Sequence, residues 1–217
     1  TTWLEANMSS EHNFEELFYP NRWGRIILTS AEEIVGEKGM AALLNMAGLS
    51  QYIGNYPPDN MKKEFTFTDV GRLQQAFWDM YGPRGARVFA TRAGEQSFND
   101  GLKSFGSVAK AAQASMKIGS LEKRMSVGLG LFARFFNTVS DQKVYVEEDD
   151  DNWYWHIEVC PMCAGRTSDR PVCHLAAGVL QAAYAWASAG QRIRVTPTEC
   201  IAMGAQEGIV AMEKPKE

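Results

Sequence analysis

Apolar residues recur every three or four positions from Phe14 to about residue 140, and every second position after it. In the first region Trp23, Ile26, Ile27 and Ile34, with Ser30 in register, form one stripe, the signature of a helix with a buried face. Asn21 stands where an N-cap is expected. Gly36 and Gly39 interrupt the stripe, and Met40, Leu43, Leu44 and Ala47 carry a second helix that closes near Gly48. The prolines of Asn55-Tyr56-Pro57-Pro58-Asp59-Asn60 forbid helix and predict a rigid turn. Thr68 or Asp69 is placed to cap a helix with Val70, Leu73, Phe77 and Met80 on one face. Gly82-Pro83 restarts the chain into a helix around Val88, Ala90 and Phe98, and another is predicted over 121–136.

The period then changes. Residues 143–148 (KVYVEE) and 152–159 (NWYWHIEV) alternate and predict two strands joined by a hairpin at the acidic run 147–151. Residues 175–188 are Ala-rich and helical, and 192–196 and 209–213 read as two further strands. Helices first and an antiparallel sheet with one crossing helix last is an α+β arrangement, not a βαβ repeat. Residues 1–13 are polar and are expected to form a flexible N-terminus, with 14–217 as a single domain.

Composition narrows the function classes. The chain has 217 residues and a net charge of −4, which argues against a protein that binds nucleic acid directly. No apolar run approaches the roughly 18 residues of a transmembrane segment. The first residues lack the basic start of a signal peptide, so a cytoplasmic location is expected.

The four cysteines are Cys160, Cys163, Cys173 and Cys200, all in the C-terminal part. In a reducing compartment such crowding favours a metal site or redox chemistry over disulfides. Cys160-Pro161-Met162-Cys163 leaves a strand end and Cys173 stands near the start of the Ala-rich helix, where the helix dipole favours a thiolate. Four thiolates suit zinc, and an iron–sulfur cluster is the alternative. A dithiol redox pair is a third reading, but its βαβ context is absent. His174, beside Cys173, is a helix-start residue or a reserve ligand.

Other motifs dissolve in their context. Gly128-Leu129-Gly130-Leu131-Phe132-Ala133 has the glycine spacing of a dinucleotide loop, but a helix precedes it instead of a strand. Its small residues suggest close helix packing. The acidic hairpin lacks the ligand spacing of a calcium loop. On the strand 152–159, Trp153, Trp155, Ile157 and Val159 share one face, and Tyr154, His156 and Glu158 the other. One face covers the helices, which leaves Trp155, His156, Tyr154 and the neighbouring Tyr145 as candidate residues for a ligand cavity beside the cysteines.

The segments Asp169-Arg170-Pro171-Val172-Cys173, Leu175-Ala176-Ala177-Gly178 and Arg194 through Gly204, which includes Glu199-Cys200, resemble the 4-vinyl-reductase-like domain family. The likeness is best over 153–213, and Arg92-Ala93-Gly94 fits the family's helical half. It implies an α+β fold shared with a core subunit of vesicle-tethering complexes, and a homodimer. It also implies a small apolar or aromatic ligand, as in phenol-responsive transcription activators where zinc lies beside an aromatic-ligand pocket. Another member is linked to bacteriochlorophyll synthesis. Cys173 and Cys200 match family zinc ligands; Pro197 and Gly208 stand where two others belong, Ala205 replaces an Asp, and Cys160 and Cys163 are the candidate replacements.

The expected function is therefore a metal-stabilised ligand-binding module with a sensory or carrier role, its output passing through a partner chain. The alternative is an enzyme or accessory of chlorin reduction, which requires an iron–sulfur cluster because no nicotinamide or flavin motif survives scrutiny.

Overall fold

A computed structural model describes residues 14–115 and 119–216; the expected flexible segment 1–13 lies outside them. A short strand β1 (Phe18–Pro20) leads into helix α1 (Asn21–Met46), and β2 (Lys63–Thr66) pairs antiparallel with β1. Helices α2 (Phe67–Ser104), α3 (Gly106–Ser115) and α4 (Leu121–Val139) follow. The chain then forms β3 (Val144–Glu148), β4 (Asn152–Ile157), α5 (His174–Ala187), β5 (Val195–Glu199) and β6 (Gly208–Glu213). These last four strands make one antiparallel sheet in the order β3-β4-β6-β5. The fold is α+β, with the helical half first and one helix crossing the sheet.

The local signals mostly hold, with shifts that have physical causes. The expected break at Gly36 is a kink inside α1, at φ 77°, rather than a gap between two helices. Gly82 bends α2 in the same way ahead of Pro83. Pro20, not Asn21, occupies the N-cap position of α1. The Asn21 amide instead donates to Asn60 at 3.2 Å and to Glu64 at 2.6 Å, tying the helix start to the Pro-rich turn and β2. Thr66, ahead of the expected Thr68 or Asp69, caps α2 by accepting from the Asp69 backbone N–H at 3.0 Å. The strand expected over 192–196 lies three residues later and runs through Pro197. Pro197 is tolerated there because β5 is an edge strand with a register irregularity just after it. Strands β1 and β2 are too short to show a period, so the sequence pattern passes over them.

The sheet turns Trp153, Trp155, Ile157, Val210 and Met212 inward, all buried, against the helices. The inner Trp153 ring stands 6.3 Å from Tyr184 of α5, and its indole N–H donates to Ser126 of α4 at 3.0 Å. Helix α5 crosses α2 at very close range. A Cβ on Gly94 would lie 2.1 Å from the Leu175 carbonyl oxygen, and one on Gly178 2.0 Å from that of Thr91. Only glycine at both positions allows two backbones to approach so closely. The glycines Gly128 and Gly130 do not have the packing role expected of them: nothing lies within 4 Å of a Cβ built at Gly130, and Gly128 borders a cavity. No described helix is long and apolar enough to cross a membrane.

Candidate metal centre and ligand cavity

The chain leaving β4 enters a single 3-10 turn at Pro161–Cys163, closed by the Cys163 N–H donating to the Cys160 carbonyl at 3.1 Å. Gly165, at φ 65°, reverses the backbone, and the Ser168 N–H donates to the Ala202 carbonyl at 2.8 Å. That bond ties the loop to the turn Ile201–Met203 that follows Cys200. Cys173 sits at the N-cap position of α5. The turn after β4, the start of α5 and the β5 exit thus deliver their sulfurs to a common point.

All four cysteines are buried and none is in a disulfide. Cys173 Sγ lies 3.4 Å from those of Cys160 and Cys163 and 3.8 Å from that of Cys200, and Cys163 is 3.5 Å from Cys200. The Cys160, Cys163 and Cys173 sulfurs lie mutually within 4.8 Å, close enough to hold one ion. Sulfurs placed about 2.3 Å from a tetrahedral zinc stand about 3.8 Å apart, so the spacing fits a single ion. Burial raises the Cys160 thiol, but hydrogen bonds with Cys163 and Cys173 outweigh it and bring the group down to about 5. Hydrogen bonds with Cys160, Cys163 and Cys200 push Cys173 well up. Four packed sulfurs cannot all ionise against one another, and a divalent cation among them removes that conflict.

Two cationic or titratable neighbours flank the cluster. Arg166 donates Nε to Gln75 and Nη1 to the Met162 carbonyl, both at 3.0 Å, and its guanidinium lies 5.9 Å from the Trp78 ring centre. Burial lowers it, while ionised cluster sulfurs pull the opposite way. His174 starts α5 outside the sulfur group; burial, then the Arg87 charge, hold its imidazole down at about 4.

The proposed ligand residues lie elsewhere. Tyr145, Tyr154 and His156 are on the outer face of the sheet. His156 is buried there, stacked on Tyr145 at 4.4 Å, with Nδ1 3.0 Å from Glu207 Oε1 and Nε2 3.6 Å from Glu147. Tyr145 donates to the same Glu207 carboxylate at 3.1 Å. Trp155 points inward and packs on Phe132 at 5.6 Å.

A cavity of about 630 Å³ opens instead among the helices, between the start of α1, the end of α2, α3, α4 and the end of α5. Trp23, Phe98, Phe105, Phe132, Phe135 and Trp186 line it; Trp155, His156, Tyr154 and Tyr145 do not. Trp155 stands behind Phe132, one layer from the cavity. Sequence reasoning passed over these helical residues, although α4 carried a signal. The pairs Leu131-Phe132 and Phe135-Phe136 spread its apolar surface beyond the single stripe that a core contact needs.

Residues 153–207 match the 4-vinyl-reductase domain family. The matched segment includes β4, the sulfur loop, α5, β5 and Glu207. No curated protein matches the chain. Among solved structures, an H-NOX protein from S. oneidensis in an Fe(II)NO ligation state shares 14% identity at a TM-score of 0.54, covering 88% of this chain and 99% of that one. A protein in which porphyrin distortion modulates heme redox potential gives 10% identity and 0.56, covering 89% and 98%. The phenol-responsive sensory domain of the transcription activator PoxR, with phenol, gives 17% identity and 0.50, covering 79% and 88%. These similarities establish a shared fold for the matched segment together with the helical half.

A heme does not fit the residues present. Its iron requires an axial ligand such as His, Cys or Tyr. The described lining offers none of the three. All four cysteines belong to the sulfur cluster, and the described histidines, His156 and His174, stand on the outer sheet face and at the start of α5.

Proposed function

We propose that the chain is a small-molecule binding module with a sensory or carrier role, in which a zinc ion held by Cys160, Cys163, Cys173 and Cys200 is a structural staple. The observation that carries this reading is the helical cavity: it is concave, aromatic-walled and of a size typical for ligand sites, about 300–1,000 Å³. Its likeness in fold to the PoxR sensory domain supports the same reading. The ion supplies cross-linking between the β4 exit, the start of α5 and the β5 exit, segments with little regular structure of their own. It is given no part in a reaction.

The sulfur spacing favours one ion over the iron–sulfur alternative. Each thiolate of a cubane cluster binds a different iron, which separates the sulfurs further than 3.4–3.8 Å. Without a cluster the chlorin-reductase reading has no electron source on this chain. Signal output passes to a partner chain or a second copy, and the mass in solution at rising concentration tests the homodimer.

The cavity is tested by titrating the protein with a neutral fluorescent dye such as N-phenyl-1-naphthylamine. Saturable binding to one site per chain is expected, abolished by Ala183→Trp, which fills the space beside Trp186. Unchanged binding in a folded A183W protein places the dye elsewhere and sinks the reading. Metal analysis of protein purified without chelator should give about one zinc and no colour near 400 nm.

A further inference from the structure

We propose that the guest of this cavity is an amphipathic anion, a bulky ring-bearing apolar body ending in one carboxylate or comparable acid, with the acid held at the rim by Arg134 and secondarily by Arg22. This inference rests on the binding-module reading and adds the chemistry of the ligand.

The interior accepts no polar group. Besides the two arginines, the only side chain of the described lining with a hydroxyl, amide or charge is Thr138. Its hydroxyl already donates to the Arg134 carbonyl, one turn back in α4, at 2.7 Å. A hydroxyl carried into this space loses its water and finds no partner, which costs about 1–3 kcal/mol. A single phenol ring would also leave most of the volume empty. The buried part of the guest is therefore large and apolar.

The walls favour rings. Phe98 meets Phe132 edge to face at 5.8 Å and Trp186 at 6.2 Å, and Phe105 meets Phe135 at 5.0 Å. These planes stand at 63–84° to one another, so a guest meets both ring faces and ring edges, the two geometries in which aromatic groups attract.

The rim selects charge. The described lining holds two arginines and no carboxylate, although the chain as a whole is acidic at −4. Arg22 is partly committed: it pairs with Asp59 and lies 5.5 Å over the Phe105 ring. Arg134 is exposed, and among the described residues its guanidinium has no acidic partner. A guanidinium of this kind at the edge of an apolar wall binds a carboxylate through two parallel N–H donors.

The test uses 1-pyrenebutyrate and 1-pyrenebutanol, which share body and length and differ only in the acid. Both are titrated into the full chain, reading energy transfer from Trp23 and Trp186 to pyrene. The acid should bind about tenfold more tightly than the alcohol, the worth of one charge-assisted hydrogen-bonded pair. Raised salt and Arg134→Gln should each shrink that preference to about twofold or less, with alcohol binding unchanged as the control for folding. Equal affinities for the two probes, or an acid preference that survives in an R22Q/R134Q double variant, overturn the inference while leaving the binding module standing. Binding of neither probe, with the chain dimeric through this face, overturns the inference and the module reading together.

Discussion

Cys173 and Trp186 stand near opposite ends of α5, about 20 Å apart along its axis: one joins the sulfur cluster, the other walls the cavity. Helix α2 makes the same span. A Cβ at Gly71 would meet the Ala164 carbonyl oxygen next to Cys163 at 2.1 Å, and Gly101 borders the cavity. The two helices that connect cluster and cavity are locked together by Gly94 and Gly178.

Loss of metal should therefore be felt at a distance. Cys173→Ser is expected to reduce zinc from about one per chain to near zero and to lower the unfolding temperature by about 10 °C, at ~2–4 °C per kcal/mol for a chain of this size. Dye affinity should fall in the same variant although no cavity residue is changed. Metal content and unfolding temperature equal to the parent protein would remove the staple from the account.

The helix crossing makes a sharper prediction. Gly94→Ala or Gly178→Ala places a methyl group about 2 Å from a backbone carbonyl, which only movement of a whole helix relieves, at about 1–3 kcal/mol or more. Gly130→Ala, on the open side of α4, should instead stabilise by up to about 1 kcal/mol through helix propensity alone. Urea unfolding of the three variants checks both signs.

His156 should matter for stability and not for binding. His156→Ala removes the partner of Glu207 and the ring stacked on Tyr145, at an expected cost of about 1–2 kcal/mol. Dye and pyrene affinities should stay within about twofold of the parent, because His156 is absent from the cavity wall. A large loss of affinity would return the ligand to the outer face of the sheet.

Acid sensitivity has a local source at the hairpin. Burial tends to raise the Glu148 carboxyl, but hydrogen bonds from Ser126 and Lys214 outweigh it and hold the group below the usual range. A depressed carboxyl contributes stability above its unfolded value of about 4.3, and the contribution is lost as pH falls through the lower folded value. The side chain is 45% exposed, so screening limits the effect to about 0.5 kcal/mol or less. Glu148→Gln should be slightly less stable than the parent at neutral pH, and the gap should close on acidification below about pH 4. A gap that widens in acid contradicts the assignment.

Much of this architecture is legible in the chain. The change of apolar period after residue 140 marks the passage from helices to sheet, and the alternation of NWYWHI fixes Trp153, Trp155 and Ile157 to one side. The crowding of cysteines, with Pro161 opening a tight turn and Pro171 ahead of α5, points to a common centre. Such features follow from backbone geometry within a few residues, which is why sequence determines them. Period tells which side chains share a face; it does not tell what that face meets. His156 alternates outward as expected, yet it is buried, because Tyr145 from the next strand and Glu207 from a loop 51 residues away close over it. Phe132 and Trp186 look like core residues in sequence, and only the close crossing of α2 and α5 and the placement of α3 beside α4 leave a void between them. Whether an aromatic ring fills a core or walls a cavity depends on the distance between elements far apart in the chain, and that distance was decided by tertiary packing alone.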